Sequence, residues 1–237
     1  MSAPFKFKQF TVHQDKCAMK VGTDGVLLGA WTSLKHNPNS ILDIGAGTGV
    51  IALQMAQRST AELIDAIELD ENAYEQCIDN FEQSPWADRL FCYHAGLDEF
   101  VDEIDEKYDL IVSNPPFYDE DVSSGNASRD VARQNQSLPF EELVVGVSKL
   151  LEKNGLFSVI IPFKSEEEFV TKAKNNGLLL NRITRVRGSA SSDIKRSLMQ
   201  FGFHSKTPKI DELGIEITRH QYTQEYVELT KDFYLKM

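Results

Sequence analysis

Asp43-Ile44-Gly45-Ala46-Gly47-Thr48-Gly49-Val50-Ile51-Ala52-Leu53 joins a short apolar run, Ile41 to Ile44, to a helical pattern through three glycines. Glycine lets a backbone turn sharply and approach a ligand with no Cβ in the way. The segment therefore predicts a strand, a tight loop facing a ligand, and a helix over 49–58. A dinucleotide loop of spacing Gly-x-Gly-x-x-Gly needs glycine at position 50, which is Val50 here. That residue, and the lack of a hydride-handling His, Tyr or Lys motif, count against a nicotinamide oxidoreductase.

Outward from this loop, short apolar runs alternate with helical patterns as far as position 205. Strands are expected over 41–44, 63–69, 90–94, 109–113, 156–161, 183–187 and 197–204, with helices over 49–58, 71–83, 140–151 and 165–175. Such a βαβα rhythm predicts an α/β protein with a mostly parallel seven-stranded sheet covered on both faces. Gly155 and Gly177 stand where helix C-termini favour a left-handed residue. Thr23 or Asp24 is expected to cap a helix running into Val26 to Trp31. Tyr222 to Met237 repeats Tyr, Phe and Leu at helical spacing and is expected to pack back as a terminal helix. The polar stretch 119–136, after a Pro-Pro pair, reads as a long loop of the kind that often serves as a lid. The whole chain, 1–237, is read as one domain: a cap segment 1–35, a catalytic core 36–205 and an extension 206–237.

The chain has 237 residues, 41% of them hydrophobic and 26% charged, which fits an ordinary globular protein and excludes fibrous and disordered classes. No apolar run reaches the ~20 residues that span a bilayer, and residues 1–9 lack the apolar core of a signal peptide, so a cytoplasmic protein without a membrane partner is expected. Cys17, Cys77 and Cys92 are far apart, with no Cys-x-x-Cys or clustered His; they read as buried free thiols, and no metal is expected. The net charge of −11 is unevenly spread. Residues 60–131 carry twenty acids against three bases, whereas 182–209 carry seven bases against one acid and 1–35 carry five against two. That asymmetry allows a basic surface on an acidic body, suited to RNA, although solvated faces of mixed charge explain it as well.

The second strand is expected to end at Glu68-Leu69-Asp70, nineteen residues past Gly49. An acid at that tip can accept hydrogen bonds from both hydroxyls of a ribose, and Glu68 is the candidate. At the end of the fourth strand, Asp109 to Ser113 runs into Asn114-Pro115-Pro116-Phe117. Consecutive prolines hold the backbone extended and leave carbonyls that no local N–H can claim, and Asn114 adds a side-chain acceptor. Two acceptors beside an aromatic ring suit an aryl amine. Its lone pair is delocalised until the acceptors take its hydrogens, so Oδ1 of Asn114 and the carbonyl of Pro115 are the expected acceptors, with Phe117 stacking on the base. An isolated Asn-Pro-Pro-Phe would read only as a rigid turn.

Taken together, the glycine loop, Glu68 and the Asn-Pro-Pro-Phe motif resemble the class I S-adenosylmethionine methyltransferases that act on amino groups, which implies a Rossmann-like fold. The resemblance implies that S-adenosylmethionine lies against Gly45, Gly47, Gly49, Glu68 and Leu69, with Asp43 facing the methionine amino group. The family usually carries an acid just after the third strand to contact the adenine of the cofactor. Here Gly96 takes that place and Asp98 follows two residues later, so Asp98 is either that contact or a helix cap. Members with this motif methylate adenine N6, cytosine N4, guanine N2 or a glutamine amide.

Over nearly its full length the chain is similar to the bacterial tRNA1(Val) (adenine-N6)-methyltransferases, chiefly in Phe7 to Phe10, Cys17 through Trp31, the Asn-Pro-Pro-Phe loop and Tyr222 to Met237. This resemblance implies transfer of a methyl group to the adenosine beside the anticodon, with Asn114, Pro115, Pro116 and Phe117 catalytic and Thr23 and Asp24 added to the cofactor site. Guanine N2 of rRNA and a protein glutamine remain the alternatives. The anticodon loop of tRNA is the expected partner of Arg185, Arg187, Lys195 and Arg196, and the protein is expected to be a monomer or weak dimer.

Overall fold

The computed structural model describes residues 3–116, 138–204 and 207–237. After a two-stranded antiparallel ribbon, β1 (Phe5–Lys6) with β2 (Thr11–Val12), and helix α1 (Thr23–Trp31), a βα alternation begins. It runs β3 (Ser40–Ile44), α2 (Val50–Arg58), β4 (Leu63–Glu68), α3 (Glu71–Glu82), β5 (Leu90–His94), α4 (Leu97–Glu103) and β6 (Tyr108–Ser113). Helix α5 (Phe140–Leu150), β7 (Leu151–Pro162), α6 (Glu166–Asn175), β8 (Leu179–Ser189) and β9 (Ile194–Gly202) follow. Strands β10 (Lys209–Thr218) and β11 (Gln221–Tyr222) and helix α7 (Gln224–Thr230) complete the described elements.

The large sheet has the order β5-β4-β3-β6-β7-β9-β8-β10-β11. Strands β5, β4, β3, β6 and β7 pair in parallel, while β9 is inserted antiparallel between β7 and β8. Successive side chains on a strand point to opposite faces, so each central strand feeds two cores. Ile41 joins Leu27, Leu28, Leu53 and Leu110 on one face, whereas Leu42 and Ile44 join Leu143, Val147, Phe157 and Phe169 on the other. Burial on both faces explains why these strands read as continuous apolar runs. Helix α1 is fastened to the far half of the sheet: the Trp31 indole donates to Thr184 Oγ1 at 2.8 Å, and the Arg182 guanidinium lies 4.2 Å from the centre of its ring.

The parallel α/β core agrees with the reading of the sequence, and three expectations are corrected. Among the described residues the sheet has nine strands, because β10 adds in parallel to β8 with Lys209 opposite Arg182, and β11 folds back on it. Gly155 ends no helix: α5 stops at Leu150 and the chain enters β7 at once. A Cβ on Gly155 would sit 3.0 Å from the carbonyl oxygens of Tyr108 and Glu152, so close strand packing accounts for this glycine. Gly177, by contrast, does adopt the left-handed conformation after α6, with φ 81°. Helix α1 is preceded by Gly22 at the N-cap, and neither Thr23 nor Asp24 supplies a side-chain cap. The stretch 119–136 read as a lid lies outside the described residues.

Candidate active site

A cleft of about 300 Å³ opens over the C-terminal ends of β3, β4, β5 and β6, where open α/β sheets place their ligands. Gly45 and Gly47 form its floor with φ of 74° and 55°, and a Cβ built on either meets no atom of the described residues within 4 Å. The empty space beside them is the space a bound molecule would fill. Gly49, with φ 77°, serves packing instead, since a Cβ there would stand 2.6 Å from a Phe81 ring carbon and 2.8 Å from Cys77 Sγ.

At the tip of β4, Glu68 lines the cleft and accepts from the Gly47 N–H at 2.7 Å and the Asp70 N–H at 2.9 Å. These bonds fix the carboxylate between the glycine loop and the start of α3. Asp70 caps that helix, accepting from the Ala73 N–H at 2.9 Å. Leu69 also lines the cleft and is 54% exposed, an apolar side chain offered to whatever enters. From the end of β5 come Gly96, Asp98 and Glu99. Gly96 holds the N-cap position of α4, where Glu99 accepts from its N–H at 3.2 Å, so Asp98 is a first-turn residue facing the cleft and caps nothing.

Asp43 lies beneath the loop. It is fully buried, its Oδ2 accepts from the Ala52 N–H at 3.1 Å, and it does not line the cleft. Its Oδ1 has no hydrogen-bond partner among the described residues. Burial, partly offset by the Ala52 N–H and reinforced by the Glu68 charge, pushes its pKa up to about 7. A carboxylate in an apolar setting loses hydration that one N–H cannot replace.

Asn114, Pro115 and Pro116 form the opposite lip. The Oδ1 of Asn114 is buried and has no donor among the described residues. Leaving a buried acceptor unpaired costs about 1–3 kcal/mol, so such an atom marks a place where a ligand is expected to donate. Phe117 lies outside the described residues.

The structure gathers Gly45, Gly47, Glu68, Leu69, Asp98, Asn114, Pro115 and Pro116 around one cleft. It does not bring Thr23 or Asp24 there: Thr23 lines a separate hollow, and Asp24 accepts from the Arg196 Nε at 2.7 Å. Three of the four cations read as RNA contacts are engaged with carboxylates. Arg185 makes a two-pronged bond to Glu166 at 2.7–3.2 Å, Arg187 pairs with Glu212, and Arg196 pairs with Asp24. Lys195 is exposed.

Among the cleft residues that sequence reading missed, two carry ionisable groups of consequence. One is Cys17 in the Cys17-Ala18-Met19 wall, where burial pushes the thiol up to about 12. The other is Glu142 in the first turn of α5, whose carboxyl is raised by burial and then by the Asp98 charge. No local pattern marks either one, because both arrive through tertiary packing. Among the described residues, no group of three or more His, Cys, Asp or Glu side chains is placed to hold a metal ion.

The chain has the fold of a Rossmann-like methyltransferase, with a glycine floor, an acid at the second strand tip and an amide at the fourth gathered around one cleft. The family model described as the methyltransferase small domain matches residues 23–165. A predicted O-methyltransferase from Agrobacterium tumefaciens shares the fold, with a TM-score of 0.68 at 19% identity over 89% of this chain and 96% of that one. A methyltransferase from Pyrococcus furiosus gives 0.57 at 17% identity over 81% and 91%. Much nearer relatives bear the name tRNA1(Val) (adenine(37)-N6)-methyltransferase. That of Christiangramia forsetii is 60% identical over 99% of this chain and 98% of its own length. The protein from Flavobacterium johnsoniae is 61% identical over 98% and 100%, and that from Bacteroides fragilis 45% identical over the whole of both chains. The chain belongs to the tRNA1(Val) (adenine(37)-N6)-methyltransferase family.

Proposed function

We propose that this protein transfers the methyl group of S-adenosylmethionine to N6 of adenosine 37 in tRNA1(Val), next to the anticodon, and that it does so in the cytoplasm. The observation that carries this reading is that Asn114, whose Oδ1 is buried with no donor among the described residues, stands on the lip of a glycine-floored cleft. The family members' shared name supplies the target nucleotide.

The residues present fit the cofactor. Gly45 and Gly47 leave the room a Cβ would occupy, and Glu68 sits where the two hydroxyls of a ribose can donate to it. When bound, S-adenosylmethionine supplies an electrophilic methyl on a sulfonium. Asn114 Oδ1 and the Pro115 carbonyl accept the two hydrogens of the adenine amine, favouring a pyramidal nitrogen whose lone pair is free to attack. Holding the amine in line converts an encounter between two molecules into a step within one complex. The amine becomes acidic only after methylation, so no side chain with a shifted pKa is needed as a base. Phe117 is assigned the stacking role. An unpaired anticodon-loop base is inexpensive to extrude into such a pocket, and exposed Lys195 is the cation of the expected set left to meet phosphate.

The relatives' name favours adenine N6 over guanine N2 or glutamine. No described helix is long and apolar enough to cross a membrane. Incubation with labelled cofactor and tRNA lacking the modification, followed by nucleoside mass spectrometry, tests the reading. N6-methyladenosine at one position is expected, and label confined to guanine or protein would refute it.

A further inference from the structure

A second hollow, of about 600 Å³, lies beside the start of α1, with Phe5, Tyr222, Tyr226 and Tyr234 on its walls and Lys6 and Lys236 at its margin. The rings of Tyr222 and Tyr226 are 5.3 Å apart at 34°, and those of Phe5 and Tyr234 are 6.1 Å apart at 62°. Tyr226 is buried and Tyr234 half-buried, while Tyr222 stays 37% exposed. Both lysines are exposed. The acid in the lining, Glu216, is engaged by the His220 N–H at 3.1 Å. Aromatic faces flanked by amines suit a stacked nucleobase and its phosphate, a pairing that tolerates any base because every base has a π face.

The position of the hollow strengthens this. Ala18 and Met19 line the cleft, whereas Val21, Gly22 and Thr23 line the hollow, so one stretch of chain is the wall between them. Two residues beyond Thr23, the Cβ position of Gly25 is 3.9 Å from the Asn114 side-chain nitrogen. Two residues of helix rise only about 3 Å, so Thr23 at the edge of the hollow and the Asn114 amide at the lip of the cleft lie near opposite sides of the same turn of α1. Met19, 57% exposed on the ridge, is an apolar side chain of the kind that wedges between bases.

We infer that the RNA straddles this ridge, with the reacting adenine in the cleft and an adjacent unpaired base stacked in the tyrosine hollow. This rests on the proposed RNA substrate. The test uses the full-length protein and an anticodon stem-loop carrying 2-aminopurine on either side of the target adenosine in turn. Wild-type protein should methylate the stem-loop and quench the probe at one of the two positions. Tyr222→Ala should lose that quench and bind the stem-loop roughly 5- to 150-fold more weakly, the range for one lost stack, with unchanged affinity for S-adenosylhomocysteine. Tyr222→Phe should keep both quench and affinity. Normal methylation by the wild type, with equal quench and affinity in Tyr222→Ala, would overturn the hollow alone. No methylation of any RNA by the wild type would overturn the functional reading and the hollow with it.

Discussion

The three loop glycines should respond to alanine in two different ways, and the difference can be worked from their surroundings. All three have positive φ, which costs an L-residue about 1–2 kcal/mol. At Gly47 that is the whole folding cost among the described residues, because the new methyl meets none of their atoms within 4 Å. At about 2–4 °C per kcal/mol for a protein of this size, Gly47→Ala should lower Tm by roughly 2–8 °C. The methyl would nevertheless stand in the cleft, and affinity for S-adenosylhomocysteine should fall at least tenfold. At Gly49 the methyl would overlap the Phe81 ring and Cys77 Sγ. Overpacking adds about 1–3 kcal/mol, so a loss of roughly 4–20 °C is expected for Gly49→Ala. Thermal melts and calorimetric titrations of both variants provide the readout. If Gly47→Ala keeps parental affinity, or melts as low as Gly49→Ala, the assignment of the first two glycines to the ligand and the third to packing is wrong.

Asn114→Ala should leave a folded protein, since it removes a buried acceptor that has no donor among the described residues, while reducing kcat about 10²- to 10³-fold, the usual effect of losing one preorganised hydrogen bond to a reacting group. Single-turnover methyl transfer with melting curves would separate the two effects. Asp43→Asn bears on pH dependence without cofactor. A carboxyl raised to about 7 when folded binds its proton more tightly than in the unfolded chain, so its contribution is fully present below the unfolded value and is lost as pH rises toward 7. Urea melts at pH 5 and 8 should show the parent losing stability relative to Asp43→Asn, and a constant difference would contradict the buried-charge account. Arg185→Ala should destabilise by about 1–2 kcal/mol, because it removes the guanidinium from Glu166, 7% exposed, and leaves the Ser197 hydroxyl donating to it. Lys195→Ala should leave the melting temperature alone and reduce the salt slope of tRNA binding by about one.

What the sequence made legible was whatever depends on neighbours along the chain. The strand at Ile41–Ile44, the glycine turn and the helix after it are dictated by apolar runs and by conformations only glycine takes easily, and Gly177 signals its turn in the same way. Strand β10 escaped because only Leu213 of its residues is buried, which leaves almost no apolar alternation to read. Gly155 misled because a glycine needed for close strand packing looks the same in sequence as one that ends a helix. The basic residues near β8 and β9 were visible as charges, but their carboxylate partners come from α6, β10 and α1 and are set by the fold. Glu142 and Cys17 reach the cleft from segments more than a hundred residues apart, a distance over which local pattern carries no signal.

The placement of the two tryptophans has a practical corollary. Trp31 is clamped between α1 and β8, Trp86 packs edge-on to Phe10 at 6.0 Å, and neither borders the cleft or the hollow. Intrinsic emission should therefore act as a gauge of whether the amino-terminal helix and ribbon are docked, and should stay nearly silent when the nucleoside donor is titrated in.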